Sequence, residues 1–128
     1  MLPVDESQVL AELTAAFEAY ELALIRNDIE AVNDLFWNDA RTVRYGTRAV
    51  ERQHGHNEIA EFRIRRGAVN QSRELTNQRI TSFGRDFGVA TTEFRATGSN
   101  KIGRQTQIWI RTPQGWKIAS AHVSYGVD

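Results

Sequence analysis

Three charged side chains near the C-terminal end of the chain could together bind a small anion. Glu93 and Arg95 precede a Gly-Ser-Asn-Lys turn at 98–101, and Arg104 follows it. A tight turn pairs Arg95 near Arg104 and Glu93 near Thr106, and two arginines directed at one cavity repel each other unless an anion or Glu93 lies between them. A carboxylate ligand would satisfy both guanidinium groups. Neutralisation by Glu93 alone would instead make the arginines structural, and both interpretations stay open.

A second set of polar residues could add to such a site. In the segment TVRYG, Thr42 and Arg44 share one face of a short strand, and Val43 and Tyr45 share the other. Arg44 and Tyr45 could contact the carboxylate and carbonyl groups of a ligand, although Arg44 could equally be exposed. Arg63, on a helix further along, could turn towards the same cavity or remain on a solvated helix face.

The histidines offer a general base but no metal site. His54 and His56 lack a third ligand at helical or strand spacing, so a zinc set is not expected. His56 could act as a base at the mouth of a pocket, and Glu93 could activate water, which makes these two the catalytic candidates. His122 lies between Ser120 and Ser124, but side chains two apart on a strand point in parallel and do not converge as a nucleophile and its base must.

Composition excludes several classes of protein. The chain has 128 residues, no cysteine and a net charge of zero, so one domain over 1–128 without disulfides is expected. No apolar run is long enough for a membrane span, and the N-terminus does not resemble a signal peptide, which favours a cytoplasmic protein. Residues 41–128 carry fifteen basic residues, thirteen of them arginine, but their dispersion argues against nucleic-acid binding. No cofactor fingerprint is present.

Helical signals come first along the chain. Asp5 is placed to cap a first helix, with Gln8 three residues on and Val4 and Val9 as a hydrophobic staple. Asp28 begins a short second helix that runs through Leu35 and Phe36. RTVRY, 41–45, is a short strand, and HNEIAEFRIRR, 56–66, is a third helix.

The period then changes to two, which predicts strands near 73–83, 86–97, 102–112 and 116–125. Helices followed by an antiparallel meander predict an α+β domain with helices on one face of the sheet. In the expected register Arg104 lies beside Val123 and Ile108 beside Ala119. The apolar floor of the pocket then comprises Val89, Ile108, Ile110, Ala119 and Ala121, with Glu93, Arg95 and Arg104 at one end. The opposite face, with Trp109 and His122, is predicted to meet a second copy of the chain.

The order of elements resembles the nuclear-transport-factor-2-like cone, also called cystatin-like or SnoaL-like, and GWKIASAHVS, 115–124, is similar to its closing strand. LFWNDARTVRYG, EIAEFRIRR, ITSFGRDFGVATTEFR and GRQTQIWIR together resemble the AtzH-like family, which includes the oxalurate-catabolism protein HpxZ. The resemblance implies N-terminal helices packed on a strongly curved, mostly antiparallel sheet. In the kinase association domains that share this fold, an arginine at the position resembling Arg95 lines the pocket.

The resemblance further implies a cytoplasmic homodimer of ureide or s-triazine breakdown. Two functions remain open. The protein could hydrolyse or decarboxylate a small carboxylated amide or urea, with Arg95, Arg104, Arg44, Tyr45 and Arg63 as binding residues. Alternatively, it could bind an anionic metabolite without catalysis, or support a neighbouring amidase. The fold hosts both roles and does not decide between them.

Overall fold

The computed structural model describes residues 1–126, so the last two residues of the predicted 1–128 domain lie outside the described part. Three helices and six strands follow in the order α1 (Ser7–Ile25), α2 (Ile29–Asp34), β1 (Val43–Tyr45), β2 (Arg52–His54), α3 (His56–Arg66), β3 (Arg73–Phe83), β4 (Phe87–Ala96), β5 (Gly103–Thr112) and β6 (Gly115–Tyr125). No helix within residues 1–126 is long and apolar enough to cross a membrane.

The six strands form one sheet in the order β2-β1-β6-β5-β4-β3. All neighbouring strands are antiparallel except β1 and β6, which run parallel. The three helices cover one face of this sheet, so the predicted α+β class is confirmed. The elements 56–66 and 73–83 have the predicted bounds, whereas β2 was not predicted.

The helices pack on the face of the sheet that carries its largest aromatic side chains. Trp109, Ile118 and Phe17 are each at most 1% exposed, and the apolar stripe of α1 supplies Leu13 opposite them. α1 approaches β4 closely at Gly88, where a Cβ atom would lie 2.2 Å from Cδ2 of Leu13. The absence of a side chain at Gly88 therefore allows the helix to lie directly on the sheet.

The predicted N-terminal cap of α1 is wrong. Helix α1 begins after Glu6 without a side-chain cap, and Asp5 instead accepts a hydrogen bond from the backbone N–H of Ser82 at 2.9 Å. Val4 forms a β-bridge with Phe83 rather than a staple with Val9. The N-terminal segment therefore pairs with the end of β3. Asp28, by contrast, marks the start of α2 as predicted, and it caps the helix by accepting from the N–H of Ala31 at 3.2 Å. The helix ends at Asp34, before the predicted Leu35 and Phe36.

The assignment of the two sheet faces is also wrong. Trp109, Gln105 and Gln107 of β5 point towards the helices, while Arg104 and Ile108 point to the outer face. Alternation fixes which residues share a face, but it does not fix which face the helices cover. The bulky aromatic residues decide this, because burying them removes far more apolar surface from water than burying the smaller aliphatic residues of the other face.

Two register errors accompany this inversion. Glu93, not Arg95, pairs with Arg104 across β4 and β5. Between β5 and β6, Arg104 pairs with Ser124 and Ile108 with Ser120, because a β-bulge shifts the register between Ile108 and Trp109. The extra residue is Ala119 of β6, since Ser120 pairs with Ile108 and Ile118 with Trp109, so the alternation reverses along β6 while it continues along β5. As a result, Trp109 lies inside the fold and His122 outside it, although the sequence predicted both on one face.

Candidate functional site

A cavity of about 190 Å³ opens between the helices and the inner face of the sheet. Helices α1 and α3, strands β1, β3, β4, β5 and β6, and the segments before β2 and β3 contribute to its wall. Its lining is mainly polar and includes four arginines and one acidic residue: Arg44, Arg63, Arg66, Arg73 and Glu51.

Arg44 reaches the cavity from the middle of β1. Strand alternation turns it inward with Thr42, and both are buried, whereas Tyr45 points outward. Its Nη1 donates to Oε1 of Gln53 on β2 at 2.8 Å, and its Nη2 lies 3.6 Å from Oε1 of Glu51. The unpredicted strand β2 thus holds the guanidinium group in place.

Helix α3 supplies two more arginines one turn apart. Arg63 follows the fully buried Ile59 by four residues, so it shares the inward face and is only 4% exposed. Its Nη2 donates to Oη of Tyr20 at 3.3 Å, and it has no acidic partner among residues 1–126. Arg66 stands at the mouth, where its guanidinium and that of Arg44 both lie near the ring of Phe62, at 5.1 and 5.0 Å from the centroid.

Arg73 enters from the start of β3 and is the arginine that a carboxylate already neutralises. Its Nε donates to Oε2 of Glu21 at 3.2 Å, and its Nη2 donates to the other oxygen of the same carboxylate. Nη2 also donates to Oε1 of Gln105 at 3.1 Å. Both side chains of this ion pair are about nine-tenths buried, so Arg73 contributes hydrogen-bond donors to the wall but little net charge.

The electrostatic balance of the cluster is strongly positive. Four guanidinium groups face two carboxylates, Glu21 and Glu51. Burial, followed by the charge of Arg63, lowers the pKa of Arg44, and the same two causes lower the pKa of Arg66. Arginine nonetheless stays protonated at neutral pH. A bound anion would relieve this repulsion, so the cavity is suited to a small negatively charged ligand.

Two groups at the cavity can carry a proton in a reaction. Because Tyr20 accepts a hydrogen bond from Arg63, its own hydroxyl hydrogen can be donated to a ligand. Glu51 accepts through Oε2 from the N–H of Arg48 at 3.2 Å and the hydroxyl of Thr47 at 3.3 Å. Among residues 1–126 its Oε1 has only the long contact with Arg44, and it can accept a further hydrogen bond.

Glu93, Arg95 and Arg104, predicted to form the site, lie on the outer face of the sheet away from the cavity. Arg104 donates through Nε to Oε2 of Glu93 at 3.0 Å, Asn77 donates to the other oxygen at 2.7 Å, and Arg95 is exposed. These hydrogen bonds, that of Asn77 first, lower the pKa of Glu93. Glu93, Arg104 and Asn77 form a surface network that does not include Arg95, and the assignment of Glu93, Arg95 and Arg104 to the pocket is wrong because the face was inverted.

His56 and Tyr45 also lie away from the cavity. His56 begins α3, and its Nε2 donates to the backbone oxygen of Asn33 at 2.8 Å, which ties α3 to α2. Tyr45 is on the outer face, with its hydroxyl 3.0 Å from Nε2 of His54 and its ring against His122. Of the predicted catalytic and binding residues, the structure brings together only Arg44 and Arg63, and of the predicted apolar floor only Ala121 lines the cavity.

The sequence analysis missed several residues of the cavity wall. Tyr20 fits the apolar stripe of α1, so nothing in its spacing distinguishes it from a core residue. Gln105 and Gln107 share a strand face with Trp109. This alternation would have predicted that both face the interior once Trp109 was assigned there. Nothing in the sequence around Arg73 indicated that it lines the cavity, since its partner Glu21 lies fifty-two positions away in the chain.

Comparisons with known proteins bear on the whole chain. The sequence profile of the AtzH-like family matches residues 2–127. A solved protein of unknown function from Pectobacterium atrosepticum is 48% identical, with 97% of this chain and 95% of that chain covered and a TM-score of 0.92.

A cystatin-like fold protein from Burkholderia xenovorans is 44% identical over 100% of this chain and 99% of that chain, with a TM-score of 0.91. An NTF2-like protein of unknown function from Pseudomonas putida shares the fold at 17% identity, with coverage of 96% and 90% and a TM-score of 0.82. No curated protein matches the chain. The predicted cystatin-like, SnoaL-like fold is thereby confirmed.

Proposed function

We propose that this chain, which belongs to the AtzH-like family, binds a small carboxylated amide or urea of the oxalurate type as part of ureide catabolism in the cytoplasm. One observation carries the proposal: buried arginines converge on a single small cavity with too few carboxylates to neutralise them. The earlier expectation of ureide catabolism rests on the family resemblance, and the cavity supports it through charge and size.

The chemistry of the wall fits a ligand with one carboxylate and a polar remainder. Arg44 and Arg63 supply planar donor groups that match a carboxylate, and burial strengthens their interaction with it. A cavity of about 190 Å³ is too small for most drug-sized molecules, whose pockets usually begin at about 300 Å³. Its mainly polar lining also argues against a steroid or fatty-acid ligand.

Hydrolysis is the reaction that the cavity supports best. Glu51 could accept a proton from a water molecule that attacks the urea carbonyl, and Tyr20 could donate its hydroxyl hydrogen to the departing nitrogen. The free oxygen Oε1 of Glu51 and the free hydrogen of Tyr20 favour this assignment. These residues replace Glu93 and His56 as the catalytic candidates.

A thermal-shift screen tests the proposal. We expect oxalurate, oxamate and allophanate to stabilise the protein, and biuret, which lacks a carboxylate, to have no effect. At one hundred times the dissociation constant a ligand adds about 2.7 kcal/mol to the free energy of unfolding, which such a screen detects. The anion site would be excluded if biuret alone stabilised the protein, or if none of the carboxylates did.

Ammonia release from each stabilising ligand then separates the two functions. Release from a ureide would identify a hydrolase that uses the groups named above. Stabilisation without release would identify a binding protein, or an accessory protein to a neighbouring amidase.

The outer face of the sheet supports a second proposal, a homodimer. Val89 and Ile108 pair across β4 and β5, and with Ile110 they form a partly exposed aliphatic strip that no helix covers. His122 lies beside this strip and could belong to the interface. Trp109 cannot, since it is fully buried within one chain.

Ile108→Glu should convert the dimer to a monomer, because a charge at the centre of an apolar interface would lose its hydration without gaining a partner. Sedimentation equilibrium should show the mass halved, with the circular dichroism spectrum unchanged. A matched change on the exposed side of α1, Ala15→Glu, should leave the mass unchanged. If wild type and Ile108→Glu have the same mass, this face is not the interface.

A further inference from the structure

The arginines can bind the carboxylate of a ligand, and two further hydrogen-bond donors line the same cavity. Gln105 and Gln107 lie two residues apart on β5 and both point inward, with exposed fractions of 3% and 0%. The Nε2 atom of each is buried and has no hydrogen-bond partner among residues 1–126. An unsatisfied buried amide of this kind is costly, and each one in a native fold calls for an explanation.

The orientation of both amide groups is fixed by donors that cannot accept. The indole Nε1 of Trp109 donates to Oε1 of Gln107 at 3.1 Å. Nη2 of Arg73 donates to Oε1 of Gln105 at 3.1 Å. Indole and guanidinium nitrogens are donors only, so each glutamine must turn its oxygen towards them. The NH₂ groups are therefore left for an acceptor.

The supporting contacts also hold the two side chains rigidly. Trp109 is 0% exposed within the core, and Arg73 is held by its ion pair with Glu21. Donors that are fixed before binding lose little entropy when a ligand arrives, so they discriminate well between ligands that have an acceptor and ligands that do not.

From this geometry we infer that Gln105 and Gln107 determine specificity by donating hydrogen bonds to the carbonyl oxygens of the ligand, while the arginines bind its carboxylate. The site thereby selects carboxylated amides and ureides over plain carboxylic acids. This inference rests on the proposed function, since it names what recognises the uncharged part of the same ligand.

The test compares two monocarboxylates of similar length, oxalurate, which has amide carbonyl groups, and valerate, which has none. Isothermal titration of the wild-type protein should show oxalurate binding at least about tenfold tighter than valerate. Gln105→Met and Gln107→Met should each lower this ratio by about tenfold, because they weaken oxalurate and leave valerate nearly unchanged. Gln78→Met, on the exposed part of β3, is the matched control and should keep the wild-type ratio.

The ratio is measured on one protein sample, so a partly unfolded variant lowers both affinities and does not change it. This matters for Gln107→Met, which also removes the acceptor for Trp109. A ratio within about twofold of wild type in both variants would overturn the inference while leaving the anion site intact. Failure of the wild-type protein to bind either acid would overturn the proposed function together with this inference.

Discussion

Replacing Arg63 with methionine should make the protein more stable and should nearly abolish its affinity for a small carboxylate. Arg63 is 4% exposed and has no acidic partner among residues 1–126, and its only side-chain hydrogen bond there is to Tyr20. Its Nε atom is buried without a partner. Methionine fills much of the same space without a charge to desolvate. We expect the free energy of unfolding to rise by about 1–2 kcal/mol and the affinity for oxalurate to fall by about 100-fold.

Chemical denaturation and calorimetric titration measure the two quantities. Arg95→Met is the control, because it removes an arginine from the exposed outer face and should change neither stability nor affinity appreciably. The two variants also test the face assignment directly, since the sequence predicted Arg95 in the pocket. If Arg95→Met abolishes binding and Arg63→Met does not, the cavity described above is not the ligand site.

Glu21→Gln should have the opposite effect on stability, with a loss of about 3–5 kcal/mol. The carboxylate of Glu21 neutralises Arg73 through two hydrogen bonds, and both side chains are about nine-tenths buried. The neutral amide would leave the guanidinium group buried without a counter-charge, and such a change is far more costly than the loss of an exposed ion pair. The midpoint of thermal unfolding should fall by roughly 10 °C or more.

Two further variants test whether the uncompensated charge of Arg73 causes the expected loss of stability in Glu21→Gln. Glu18→Gln, on the exposed side of the same helix, should change stability by less than about 0.5 kcal/mol. The double variant Glu21→Met/Arg73→Met should recover most of the lost stability, because it removes both buried charges. A double variant as unstable as Glu21→Gln would show that packing, rather than the uncompensated charge, causes the loss.

The Arg63 and Glu21 substitutions should have opposite effects on stability, because within residues 1–126 Arg73 has a carboxylate partner and Arg63 does not. Arg73 has a carboxylate partner within the fold, Glu21, so its role in the wall is largely structural. Arg63 has none among the described residues, so the fold retains a group that costs stability. Such a group is expected at a binding site, where a ligand supplies the missing interaction.

Local signals determined much of the architecture. The apolar stripe of α1, the start of α2 at Asp28 and the alternation in 73–125 depend on residues close in the chain. They led to the correct fold class and to element bounds within about two residues of those observed, apart from β2, which was missed. The family resemblance depended on longer motifs and is confirmed over residues 2–127. Strand alternation likewise grouped Gln105 with Gln107 and Trp109 correctly.

Tertiary structure decided which of these groups lies inside. Alternation is symmetric between the two faces of a sheet, so it could not place Arg104 outside and Gln105 inside. The bulge at Ala119 of β6, opposite Ile108 and Trp109, reversed the alternation along β6 at a position that no residue type marks. The site itself depends on pairs such as Arg73 with Glu21 and Arg63 with Tyr20, whose members are far apart in the chain. Their proximity follows from the packing of helices on the aromatic face, because burial of that face is the largest gain available to the folded chain.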